Sequence, residues 1–174
     1  HDCKEICQHV DPTSESKKHR NSHQSTAPVE ALMALADRSG DVDEIFLRKV
    51  SAIADTIPWT SRVVTPRGDY HLDHASVGEI IGPTGSIYSE ELILGVMVTW
   101  SAGVFPHHHP AEEAYYFATG GMRYRFEQEA WQELRSGSYL FHESGVLHEF
   151  KTYGTRSVSV YAWKGCIHGE VVYP

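Results

Sequence analysis

Cysteine is scarce in this chain: three among 174 residues, an odd number that does not frame a fold by disulfides. Cys3 and Cys7 lie close together near the N-terminus, where a bond between them would constrain little; metal binding is the lesser use of that pair. Cys166 stands alone. Long apolar runs are missing too. None approaches the roughly 20 residues that a membrane helix needs, so the expectation is a soluble protein with no membrane partner. Basic charge is in short supply. Fifteen Lys and Arg face 23 Asp and Glu, for a formal net charge of −8, which argues against a nucleic-acid surface. The chain opens on His1 rather than Met, read as a removed leader or an omitted upstream piece. No signal peptide is visible in what is there.

Histidine, by contrast, is plentiful: twelve copies of the commonest metal-ligating side chain. Apolar content of 41% and charged content of 22% are ordinary for a globular protein. The length suits one domain with a real core and does not comfortably hold two. Residues 1–25 are polar, carry Pro12 and show no apolar period, so a loosely ordered tail is expected there.

Residues 26–72 read as two α-helices. Thr26 and Pro28 suit a helix start, and Val29, Leu32, Met33 and Ala36 repeat at helical spacing before Gly40. Asp41 is the expected cap of the second helix, with Glu44 at the capping-box position. Val42, Ile45, Phe46, Val50, Ile53 and Ile57 continue its stripe until Pro58. Such stripes pack on a neighbouring layer or form a homodimer contact. From residue 73 to 174 the texture changes to short apolar runs broken by turns, which predicts a mainly-β sandwich or barrel. Predicted strands are Leu92–Trp100, Met122–Phe126, Trp131–Leu134, Ser138–His142, Val158–Trp163 and Glu170–Tyr173.

Within this β region one stretch carries the chemistry. His107, His109, Glu113 and Tyr115 share one parity between Gly103 and Gly120. On a strand, residues of one parity point to one face, although the Pro110-Ala111 step bends the path. Imidazole and carboxylate are ligands that first-row divalent metals accept. A solvated loop of adjacent histidines is the bland alternative, and the spacing favours the metal. His148, after Gly137 and Gly145, is the best candidate for a distant fourth ligand. His108 and His142 have the other parity and are read as lying behind the ligands or at the surface. By position alone Tyr115 is either a packed barrel residue with a hydrogen-bonded hydroxyl or a base made usable by a nearby cation.

His107, His109, Glu113 and Gly120 match the first motif of the cupins, His-x-His-x3-Glu-x6-Gly, and Gly137, Gly145 and His148 match the second. Glu143 and Thr152 stand where the second motif usually has Pro and Asn. The wording His108-His-Pro-Ala-Glu-Glu113-Ala-Tyr115, with the late Tyr161-Ala-Trp163-Lys-Gly165, resembles the cupin-type dimethylsulfoniopropionate (DMSP) lyases. Cys166 stands where that family often has an acidic residue. The resemblance covers about the last hundred residues. It implies a single cupin barrel, a double-stranded β-helix or jelly roll, behind the two N-terminal helices.

The resemblance also implies one divalent transition metal per chain, whether zinc, iron, manganese, cobalt or nickel. It implies β-elimination of a small zwitterionic or carboxylate substrate, with Tyr115 as base, in a bacterial cytoplasm, with periplasm or secretion left open. Aromatic faces suit a sulfonium cation, and Phe105, Phe117, Tyr139, Phe141 and Trp163 are the candidate wall residues, each equally readable as core. Two other functions share the motif. One is a different metal-dependent cupin enzyme, an oxygenase or isomerase; the other is a non-catalytic cupin that binds a small carboxylate.

Overall fold

The computed structural model of the protein describes residues 30, 32, 42–65, 68–72, 75–154 and 156–174, with the backbone only at 62–65 and 68–71. The expected tail, most of the first helix and the Cys3–Cys7 pair lie outside the described residues.

The helix α1 (Glu44–Ile53) is followed by a 3-10 turn at Ala54–Thr56. It starts two residues later than the sequence reading had it. Val42 is engaged in a β-bridge with Thr119, so the cap passes to Asp43, whose Oδ1 accepts from the Phe46 amide at 3.0 Å. The chain after Pro58 is already β: β1 is Trp59–Thr60, β2 Arg62–Thr65 and β3 Gly68–His71, in the segment grouped with the N-terminal helices, whose second helix is expected to end at Pro58. Trp59 and the β-branched run Val63-Val64-Thr65 favour extended backbone, and Pro58 stops the helix before them.

The remaining strands are β4 (Ala75–Gly82), β5 (Ile87–Tyr88), β6 (Leu92–Thr99), β7 (Gly103–His107), β8 (Ala111–Phe117), β9 (Met122–Phe126), β10 (Gln132–Leu134), β11 (Tyr139–His142), β12 (His148–Thr152) and β13 (Ser157–Gly165). The expected strand at Glu170–Tyr173 reduces to a bridge between Val172 and His108. A seven-stranded sheet runs β1-β4-β6-β13-β8-β11, with β5 on β4, and a four-stranded sheet runs β10-β9-β12-β7. Among the described residues no helix is long and apolar enough to cross a membrane.

Two cores result, one on each face of the large sheet. On the outer face Leu47, Val50, Ala54 and Ile57 pack on Val96, Val98, Ala118 and Val158. On the inner face Met97, Phe117, Met122, Leu134 and Phe150 fill one end of the space between the sheets. β6 is therefore covered on both sides, as its two apolar parities require. Cys166 is 2% exposed and disulfide-bonded. It is not the solitary thiol expected, and its partner lies outside the described residues.

Candidate metal centre and cavity

Both sequence motifs sit where the chain crosses from one sheet to the other. β7 belongs to the small sheet and β8 to the large one, so residues 108–110 form a corner. β11 and β12 are divided in the same way, so residues 143–147 form a second corner. The Gly145 amide donates to the His109 carbonyl at 2.8 Å and ties the two corners together. Strand register does the rest. His148 lies opposite His107 in the small sheet, and His142 lies opposite Glu113 in the large one.

His107, His109, Glu113 and His148 converge so that one ligand atom from each lies within 4.8 Å of every other. Whether they fit a metal follows from their hydrogen bonds. The Nδ1 atoms of His109 and His148 face the carbonyls of Ala111 (3.1 Å) and Val146 (2.9 Å). A carbonyl only accepts, so each Nδ1 carries the proton and, in a neutral ring, each Nε2 is a bare lone pair. Those lone pairs face Glu113 Oε2 at 2.8 Å and 3.4 Å. His148 Nε2 also faces His107 Nε2 at 3.0 Å. Acceptors converging on acceptors need positive charge between them. Protons are disfavoured: burial, reinforced by His148, pulls the His107 pKa down to about 3, and burial lowers that of His148. The buried Nδ1 of His107 has no hydrogen-bond partner. The donor set is compatible with a single divalent cation, with backbone carbonyls orienting two of the imidazoles.

Glu113 is 1% exposed. Burial alone would raise its pKa, but the surrounding imidazoles of His109, His142 and His148 outweigh that and hold the carboxyl well below its usual range. Its second oxygen accepts from the Trp163 indole N–H at 2.5 Å, and the Trp163 ring stacks on His109 with centroids 4.0 Å apart. His142, expected behind the ligands or at the surface, is buried with its Nε2 3.0 Å from Glu113 Oε2.

The cluster opens on a cavity of about 410 Å³ between the sheets, whose wall includes Phe105, Tyr115, Tyr161, Trp163 and Tyr173. Tyr115 is 5% exposed. Burial, then the charge of Glu113 and a hydrogen bond with it, push the Tyr115 phenol well above its ordinary pKa. Of the expected wall residues, Phe105 and Trp163 line the cavity. Phe117 is fully buried in the apolar floor. Tyr139 and Phe141 are corrected: they are 75% and 59% exposed, because on β11 it is Leu140 and His142 that turn inward. Tyr161, Tyr173 and Glu79 are cavity residues the sequence reading missed. Tyr161 lies two residues from Trp163 on the same strand, and that spacing alone would have placed it on the wall.

Residues 3–158 match the family model of the DMSP lyases. A curated relative, the DMSP lyase DddQ of Ruegeria pomeroyi, is 31% identical over 87 residues, which are 49% of this chain and 43% of that protein. The aligned part thus spans less than half the length of that relative. A crystal structure of the same Ruegeria pomeroyi enzyme superposes with a TM-score of 0.66 at 23% identity, covering 82% of this chain and 75% of the other. A chain from the crystal structures of the DMSP lyases RdDddP and RnDddQII gives a TM-score of 0.69 at 19% identity, covering 90% and 82%.

Proposed function

The chain belongs to the DMSP lyase family, and on that premise we propose that it cleaves DMSP to dimethyl sulfide and acrylate, with a divalent metal at the His–Glu cluster and Tyr115 as general base. The observation that carries this reading is the meeting of Tyr115 with Glu113 on the cavity wall, beside three converging imidazoles. His107, His109, Glu113 and His148 would hold the metal, which would supply positive charge for the substrate carboxylate and favour the phenolate of Tyr115, whose proton is otherwise held tightly. Tyr115 takes the proton from the carbon next to the substrate carboxylate. The electron pair of that C–H bond becomes the new carbon–carbon double bond, and the carbon–sulfur bond breaks with its pair on sulfur. Dimethyl sulfide, acrylate and one proton account for all atoms, and no water is consumed.

Glu113 is the side chain on which the arrangement turns. Trp163 and His142 fix its two oxygens from the large sheet, so the carboxylate is oriented before any ligand arrives. The enclosed aromatic wall suits a sulfonium, a soft cation without hydrogen-bond donors. The test is headspace dimethyl sulfide from purified protein loaded in turn with zinc, iron, manganese, cobalt and nickel and given DMSP. Dimethyl sulfide and acrylate in equal amounts are expected. No release with any of these metals would overturn the reading.

A further inference from the structure

The cavity has a second charged end that the elimination leaves unused. Register carries one row of positions across the large sheet. Tyr115 on β8 lies opposite Tyr161 on β13. Tyr161 lies opposite Gly95 on β6, and Gly95 lies opposite Glu79 on β4. With strands about 4.8 Å apart, the backbones of Tyr115 and Glu79 are separated by ~14 Å. Gly95 lets the row close up, since a Cβ there would fall 2.3 Å from the Tyr161 ring. The Tyr161 ring lies over Gly95, between the two ends. Burial first, and then the charges of Glu79 and Glu113, raise the pKa of the Tyr161 hydroxyl far above the ordinary value.

Glu79 is held in place. The register of β4 shifts just after it, between Glu79 and Ile81. The following turn folds back so that the Thr84 amide donates to Glu79 Oε2 at 2.9 Å. Among the described residues lining the cavity, Glu79 is the acidic side chain outside the metal cluster, and no lysine or arginine lines the wall. A carboxylate held at the mouth of a largely apolar cavity suits a cationic ligand group.

The substrate of the proposed lyase is a zwitterion whose carboxylate belongs at the His–Glu end. Resting on that reading, we infer that Glu79, beside the Tyr161 ring, is the counter-charge for the cationic end of the substrate and sets the preference for a zwitterion over a carboxylate of the same shape. The sulfonium loses its charge as the carbon–sulfur bond breaks. An interaction with that charge is therefore made in the ground state and fades toward the transition state, so its removal should raise KM without lowering kcat.

Glu79→Gln removes the charge and keeps an oxygen for the Thr84 amide. In metal-loaded protein, two quantities are measured: the KM for DMSP and the inhibition constant of 4-methylpentanoate, in which an uncharged CH replaces the sulfur. Wild type should favour DMSP by on the order of ten- to a hundredfold, the scale of one partly screened charge pair. In Glu79→Gln that preference should collapse toward one through a rise in KM, with kcat kept or raised. Glu79→Asp, which keeps the charge, should retain most of the preference. If Glu79→Gln releases dimethyl sulfide with wild-type KM and wild-type preference, the inference is overturned and the lyase reading stands. If Glu79→Asp loses as much as Glu79→Gln, charge is not what Glu79 contributes. If wild type releases no dimethyl sulfide at all, the lyase reading falls and takes this inference with it.

Discussion

Tyr115 and Tyr116 are neighbours in sequence and live in different chemical worlds. Tyr115 points between the sheets, where burial and Glu113 act on it. Tyr116 points to the outer face, where its hydroxyl donates to Asp43 Oδ2 at 2.5 Å and its ring meets Phe46 edge-on at 5.3 Å. Both phenols are harder to ionise than a free tyrosine, for opposite structural reasons. Tyr115 is deprived of water beside a carboxylate of the His–Glu cluster. Tyr116, pushed up to about 12 chiefly by Asp43, stabilises the cap of α1. The pair shows how one strand divides labour: its inner face carries the proposed chemistry and its outer face anchors the helix. Breaking the inner face should remove activity without stability, and breaking the outer face the reverse.

The largest effect is expected from Tyr115→Phe. The ring and its packing against Phe150, 4.8 Å away between centroids, remain. The four candidate ligands are untouched, so metal content should hold. Loss of a positioned base typically costs 10²–10⁴-fold in turnover, or roughly 3–5 kcal/mol at the barrier. Dimethyl sulfide release should fall by that factor while the thermal midpoint stays near wild type. Near-wild-type release with metal bound would assign the base elsewhere, and loss of the metal would make Tyr115 chiefly a ligand.

Leu47→Ala tests the other face. Leu47 is fully buried between α1 and the sheet. Truncating a buried leucine costs about 2–5 kcal/mol, and each kcal/mol lowers Tm by roughly 2–4 °C in a chain of this size. Dimethyl sulfide turnover per folded molecule should not change. A proportional loss of turnover would mean that the two faces are mechanically coupled and that the division of labour is wrong.

How far this division can be read from the sequence depends on distance along the chain. Within β8 alternation suffices: Glu113, Tyr115 and Phe117 are buried, while Glu112 and Ala114 are exposed. Parity does not transfer between strands. Tyr139 and Phe141 are candidate wall aromatics by sequence, yet β11 has its own register, which turns both outward and sets His142 opposite Glu113. Glu79 was invisible for a similar reason, because its row reaches Tyr115 only through two other strands. Capping failed locally. Asp41 and Asp43 are both competent caps, and the bridge of Val42 to Thr119 decides between them.

The smallest effect, and the most diagnostic of the outer face, is expected from Tyr116→Phe. The substitution deletes one hydroxyl and leaves the Asp43–Phe46 cap bond in place. Stability should drop by about 1 kcal/mol, the scale of one partly exposed hydrogen bond, with turnover unchanged. The pH dependence separates this bond from packing. Because the Tyr116 pKa is raised to about 12 in the fold, its contribution is fully present below the unfolded value near 10. It is lost as pH climbs from about 10 to about 12, where the unfolded chain releases the proton and the folded chain still holds it. Asp43 works in the opposite sense. Its hydrogen bonds from Tyr116 and then Phe46 lower its pKa below 3.8, so that contribution is present above 3.8 and fades as pH falls beneath it. In Tyr116→Phe both edges of the stability profile should flatten, with the middle lowered uniformly. Urea titrations across pH would show it. A mutant curve parallel to wild type at every pH would mean that the hydroxyl contributes by filling space and that its bond to Asp43 carries no net free energy.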